Sequence, residues 1–143
     1  MAEYAPPLDE VRFVLEHVAG IDELSKLEGF EHADLDSTMA VLEEFGRFVV
    51  DKVLPTNRVG DEEGSHVGGD PADPTVVTPQ AFKAVYSQYV ESGWGSVPFP
   101  PEFGGGGFPW TVGVAMQELL THDLEVIRHR ATQEGEVKSA RLR

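Results

Sequence analysis

Three groups of residues have types and spacings that chemistry uses. Gly104–Gly107 is a run of four glycines just before a helical segment, Asp61, Glu62, Glu63 and His66 bring metal-ligand side chains close together, and Trp94 and Trp110 flank a proline-rich stretch. The glycine run invites phosphate binding, because a helix N-terminus presents free N–H groups to an anion. It fails both nucleotide templates. No Gly-Lys-Ser/Thr follows it, and Pro100-Pro101 stand where a dinucleotide fold needs a strand. A turn requiring positive φ and close packing is the reading adopted. The acidic group matches no EF-hand spacing, and a charge run in a glycine-rich loop is ordinarily solvated, so no metal site is expected. The five histidines form no His-Glu-x-x-His pattern, His122 and His129 lie in a tail of different character, and no Gly-x-Ser-x-Gly elbow is present. Trp94 and Trp110 either line an apolar pocket or pack against helix ends, and packing is preferred. No catalytic, cofactor-binding or metal-binding residue is assigned.

The elements that would position these residues read as helices. Asp9 and Glu10 open an apolar stretch with Val11, Val14, Leu15 and Val18 at helical spacing, and Gly20 stops it. A short helical turn is expected over Ile21–Leu27, ending near Gly29. The clearest helix runs from about Ser37 to Leu54, with Met39, Leu42, Phe45, Val49 and Val53 on one face, Asp36 or Ser37 as N-cap and Pro55 as its end. Gly46 inside it implies a close neighbour. Asn57–Pro74 has no apolar period and reads as a surface loop, and Thr75–Val77 is too short to read as a strand. Thr78-Pro79 then starts a helix with Phe82, Val85, Tyr86, Tyr89 and Val90 on its apolar face and Gly93 at its end. Glu91–Trp110, with four prolines and six glycines, is a long shaped loop, and Thr111–Thr121 is a last helix burying Val112, Ala115, Met116 and Leu119. The fold class is all-α: a small bundle of four or five helices with a long Gly/Pro-rich loop between the last two core helices.

Composition bounds the function. The 143 residues carry a net charge of -14, 41% hydrophobic residues, eight phenylalanines and no cysteine. That balance fits one globular domain and disfavours nucleic acid and anionic membrane surfaces, which require clustered Lys and Arg. Without cysteine there is no disulfide, thiolate nucleophile or cysteine-ligated metal, and an intracellular, cytoplasmic location is expected. No signal peptide or membrane span is legible. Residues 1–121 carry 6 Lys+Arg against 21 Asp+Glu, whereas 122–143 carry 5 against 4. The second unit is expected to be an atypical basic tail of frayed helix or disorder.

Several motifs together resemble the N-terminal helical domain of acyl-CoA dehydrogenases, in their long bacterial branch. They are Gly93-Trp94, then Pro101-Glu102-Phe103-Gly104-Gly105-Gly106-Gly107, then Gln117-Glu118-Leu119, preceded by Tyr4-Ala5-Pro6-Pro7-Leu8 and by Asn57-Arg58-Val59-Gly60-Asp61. The resemblance covers about Tyr4 to Thr121. It implies an FAD flavoenzyme of fatty acid metabolism that takes a proton from Cα and a hydride from Cβ of an acyl-CoA to give a trans-2-enoyl-CoA. It also implies that FAD and the catalytic glutamate sit on later domains, so this chain alone is expected neither to hold FAD tightly nor to catalyse. After Thr121 the pattern departs from the family, and the tail is expected to be foreign sequence on a truncated domain. The other reading is a non-enzymatic helical interaction module that pairs as a homo-oligomer, with a full-length paralogue, or with a separate FAD-binding chain.

Overall fold

The computed structural model describes residues 4–121; the tail from His122 onward, with its expected fraying, lies outside them. Helix α1 (Leu8–Val14) begins after Pro7 with Asp9 and Glu10 in its first turn and runs into a π turn at Leu15–Ala19, which Gly20 closes at φ 63°. The π turn widens the helix after Val14. As a result only Val11 and Leu15 of the expected stripe are buried, while Val14 and Val18 face outward. Short α2 (Ile21–Leu24) buries Ile21.

Helix α3 (Leu35–Phe48) is the spine, burying Leu35, Met39, Leu42 and Phe45, with Val49 just beyond. It starts two residues earlier than the periodicity indicates, and the cap is Asp34 rather than Asp36 or Ser37. The Ser37 amide donates to Asp34 Oδ1 at 2.8 Å, and the Leu35 amide donates to Asp22 Oδ1 at 3.0 Å. Asp36 instead pairs with Arg12 at 3.1 Å. Pro6 is the close neighbour at Gly46, where a Cβ would lie 3.1 Å from Pro6 Cγ.

Pro55 does not end this run. A π turn at Val49–Val53 precedes it, so the proline falls in the first turn of α4 (Leu54–Glu63), where its missing N–H costs nothing. The expected loop Asn57–Pro74 is therefore corrected to α4 followed by an antiparallel ribbon, β1 (His66–Asp70) and β2 (Asp73–Val77), in the register His66 to Val77 and Asp70 to Asp73. Helix α4 buries no residue, so no apolar period announced it. What holds it is distant: a Cβ on Gly60 would lie 2.6 Å from the ring of Phe82. The fold remains mostly helical, with this small ribbon added.

Helix α5 (Gln80–Glu91) starts just after Pro79. Tyr89 and Val85 turn toward the body, whereas Phe82, Tyr86 and Val90 are exposed. The last described helix, α6 (110–121), buries Val112, Ala115, Met116 and Leu119 as its sequence spacing requires. These meet α1 and α3 in one core, where each fully buried Leu, Val or Phe contributes about 1.5–3 kcal/mol. The Tyr4 hydroxyl ties the N-terminal segment down by donating to the Leu119 carbonyl at 3.0 Å.

The 93–109 loop closes on itself. The amides of Gly105, Gly106, Gly107 and Phe108 donate to the carbonyls of Pro100, Ser96, Phe99 and Val97 at 2.9–3.2 Å. Gly104 adopts φ 79° in open space, whereas a Cβ on Gly105 would lie 2.0 Å from the Phe99 carbonyl oxygen. Gly104→Ala should therefore cost about 1 kcal/mol, the ordinary cost of left-handed backbone. Gly105→Ala should cost about 3 kcal/mol through overpacking, with urea denaturation reading the difference.

The hydrogen bonds from Ser37 hold the Asp34 carboxyl below the ordinary carboxylate range. A depressed folded value means that its stabilisation is present above the unfolded value of about 3.9 and is lost as pH falls through the folded one. The stability gap between wild type and Asp34→Ala, measured by urea denaturation, should narrow on acidification into that range and stay constant from pH 5 to 7.

Candidate functional site

Two open apolar grooves flank one ridge on α6. Trp110 and Val114 stand one helical turn apart, both 63% exposed, and separate two grooves. The first, of about 390 Å³, lies between α1 and α6 and is lined by Val14, Ala19, Trp110, Thr111 and Val114, with Glu10 and Glu118 among its walls. The second, of about 380 Å³, lies between the 94–99 segment and α6 and is lined by Tyr89, Trp94, Pro98, Phe99, Trp110 and Val114. Close packing shapes it: a Cβ on Gly113 would lie 3.0 Å from Pro98 Cγ. Each lining includes a polar atom that is buried without a hydrogen-bond partner, Thr111 Oγ1 in the first and Trp94 Nε1 in the second.

The two tryptophans divide the two readings of them. Trp94 packs on the core, its ring centroid 5.3 Å from Phe45 and 6.2 Å from Phe48. Trp110 touches Phe99 edge-on at 5.4 Å and is otherwise open. Both line the second groove.

The glycine run offers no anion site. All four amides from Gly105 to Phe108 are spent on the loop's own carbonyls. His32, which no motif or period marked, locks this arrangement from 74 residues away. Its Nε2 lies 2.9 Å from the Gly106 carbonyl, and its ring meets Phe108 edge-on at 4.9 Å. Only the fold brings that pair together. The acidic group is dispersed: Asp61, Glu62 and Glu63 end α4, Glu62 is engaged by Arg58 at 2.7 Å, and His66 begins β1. Among the described residues no three His, Asp or Glu side chains converge as metal ligands. His122 and His129 lie outside those residues.

Tyr89 is the phenol that lines the second groove. Burial, with Tyr86 adding to it, pushes the Tyr89 hydroxyl up from its ordinary value, which keeps it a neutral phenol rather than a base. The walls suit apolar packing with a few hydrogen bonds.

Sequence comparison agrees with the motifs. The chain is 35% identical over 117 residues to 3-methylmercaptopropionyl-CoA dehydrogenase of Ruegeria pomeroyi, a match covering 82% of this chain and 19% of that protein. The chain is homologous to a segment of the acyl-CoA dehydrogenases. Butyryl-CoA dehydrogenase of Syntrophomonas wolfei matches at 28% over 97 residues, covering 66% of this chain and 15% of that protein. The chain thus spans less than a fifth of the length of the curated relatives it matches. No family profile matches it. Among the described residues of this acyl-CoA dehydrogenase segment, no helix is long and apolar enough to cross a membrane.

The burial of the two tryptophans sets their expected roles. Trp94→Ala should cost about 3 kcal/mol in urea unfolding. Trp110→Ala should cost less than about 1 kcal/mol while removing the acrylamide-accessible component of the fluorescence.

Proposed function

We propose that residues 1–121 are the N-terminal helical domain of an FAD-dependent acyl-CoA dehydrogenase that forms the α,β double bond of an acyl-CoA thioester in cytoplasmic fatty acid metabolism. In this reading the segment supplies packing surface for the rest of the enzyme and not reacting groups. The observation that carries it is the alignment of 82% of this chain with 19% of a longer enzyme. The open grooves beside Trp110 support it, since apolar surface of this extent ordinarily meets another protein surface or a ligand.

In this reading FAD is held mainly by other parts of the enzyme. A pyrophosphate needs free amides or unpaired cations, and the glycine-loop amides are occupied. Of the six Lys and Arg among the described residues, Arg12, Lys26, Arg47 and Arg58 each face a carboxylate, which leaves Lys52 and Lys83 on separate elements, the 49–53 turn and α5. Flavin in the assembled enzyme would accept the substrate hydride, and this chain alone would neither retain it nor oxidise acyl-CoA.

A second reading is an interaction module that joins a full-length paralogue or a separate FAD-binding chain. The exposed Tyr86 and Val90 on α5 favour it, because uncovered apolar side chains one helical turn apart present a docking surface. The purified 143-residue chain should be colourless and give no acyl-CoA-dependent dye reduction. Flavin absorbance near one equivalent per chain would overturn the reading of inactivity. Co-elution with a separately expressed chain carrying the FAD-binding and C-terminal parts would favour the module.

A further inference from the structure

The groove between α1 and α6 is walled by two helices. The π turn carries the helical rod of α1 on from Leu8 to Ala19, and α6 spans 110–121, so each wall is about 18 Å long. Trp110, Val114 and Glu118 follow one another at four-residue steps along α6, and Glu10 and Val14 do so along α1. The apolar part of this surface is open. Trp110 and Val114 are the exposed ridge, Val14 is 49% exposed, and Val18, one turn beyond Val14, is 74% exposed.

What the walls lack selects the shape of the occupant. Past their first turns both helices spend their N–H and C=O groups on their own ladders. An extended chain laid between them would therefore bury backbone groups without partners. A helix brings its backbone already paired and needs only side-chain contact, and a rod of about twelve residues matches the walls in length.

Charge selects its sign. Glu10 and Glu118 are exposed, and they are the only ionisable side chains among the described lining residues. No ion pair among the described residues engages either of them. Residues 1–121 carry 21 Asp+Glu against 6 Lys+Arg, a field that steers a basic partner toward the groove and repels an acidic one. Two copies meeting groove to groove would set these carboxylates against each other, which disfavours a second copy as the occupant.

We propose that the α1–α6 groove receives an amphipathic helix of a separate protein chain. Its apolar stripe lies on Val14, Trp110 and Val114, and Lys or Arg flanking that stripe stand beside Glu10 and Glu118. The proposal deepens the reading of this chain as an interaction module and rests on it.

A capped peptide of about fourteen residues tests it against the full chain. It is built of Leu, Ala and Lys without Trp, with Leu at i, i+3, i+4 and i+7 and Lys bordering that stripe. Binding should lower acrylamide quenching of Trp110 at least threefold and should weaken as salt is raised. The same peptide with Glu for every Lys, or with its central Ala residues replaced by Pro, should bind at least tenfold more weakly. The double variant Glu10→Gln/Glu118→Gln should bind the Lys peptide at least fivefold more weakly and with little salt dependence, whereas Tyr86→Ala on α5 should bind it as wild type does. If the double variant loses its helical circular dichroism, the Glu and Pro peptides decide the point on the wild-type chain. No binding of the Lys peptide, equal binding of the Glu or Pro peptide, or equal binding by the double variant would overturn the proposal. So would Trp110 already shielded without peptide, whether by residues 122–143 or by a second copy. Loss of binding in Tyr86→Ala alone would overturn the groove as the site and leave the module reading standing, which the co-elution experiment decides separately.

Discussion

Four hydrogen bonds inside the 93–109 loop hold the rest of the domain in place. Because the carbonyls of Ser96, Val97, Phe99 and Pro100 accept amides from residues 105–108, the loop is rigid without help from any ligand. Its rigidity presses Trp94 onto Phe45 and Phe48 and sets Pro98 against Gly113. Helix α6 is thereby fixed against α3, and Trp110 is left on the outside. A less closed loop would free its amides for an anion and release α6 from the core. Scaffold and phosphate cradle are mutually exclusive uses of the same N–H groups.

The charge and the apolar surface divide the molecule's tasks. Carboxylates cover the outside at high density, which favours solubility and keeps acidic partners away. Against that background the uncharged places stand out: the ridge of Trp110 and Val114 with its two grooves, the stripe on α5, and the valines of the ribbon. In the proposed reading the first two are surfaces that meet the remainder of a longer enzyme.

Legibility followed burial. Met39, Leu42, Phe45 and Val49 on α3, and Val112, Ala115, Met116 and Leu119 on α6, recur at helical steps because each faces a core, and those helices were readable from spacing. Helix α4 buries nothing and the ribbon almost nothing, so acidic and glycine-rich sequence there carried no period and read as loop. Pro55 misled for a related reason: a π turn beside a proline lets a helix continue, and no residue type marks a π turn. The apolar stripe of α5 was legible as a pattern, but which half of it would be covered was not.

By itself the sequence determined the helical class, the core faces of α3 and α6, the shaped loop between α5 and α6, and the family, because local periodicity, Pro/Gly placement and ordered motifs are all written along the chain. Only the tertiary structure decided what the distinctive residues do. Gly46 answers to Pro6, Gly60 to Phe82, Gly105 to Phe99 and His32 to Gly106. Most of these are contacts between residues far apart in the chain, and a close approach of that kind leaves no trace in spacing. The glycine run that looked like a place for phosphate is therefore a backbone clasp, because the fold, and no motif, supplies the carbonyls that occupy its amides.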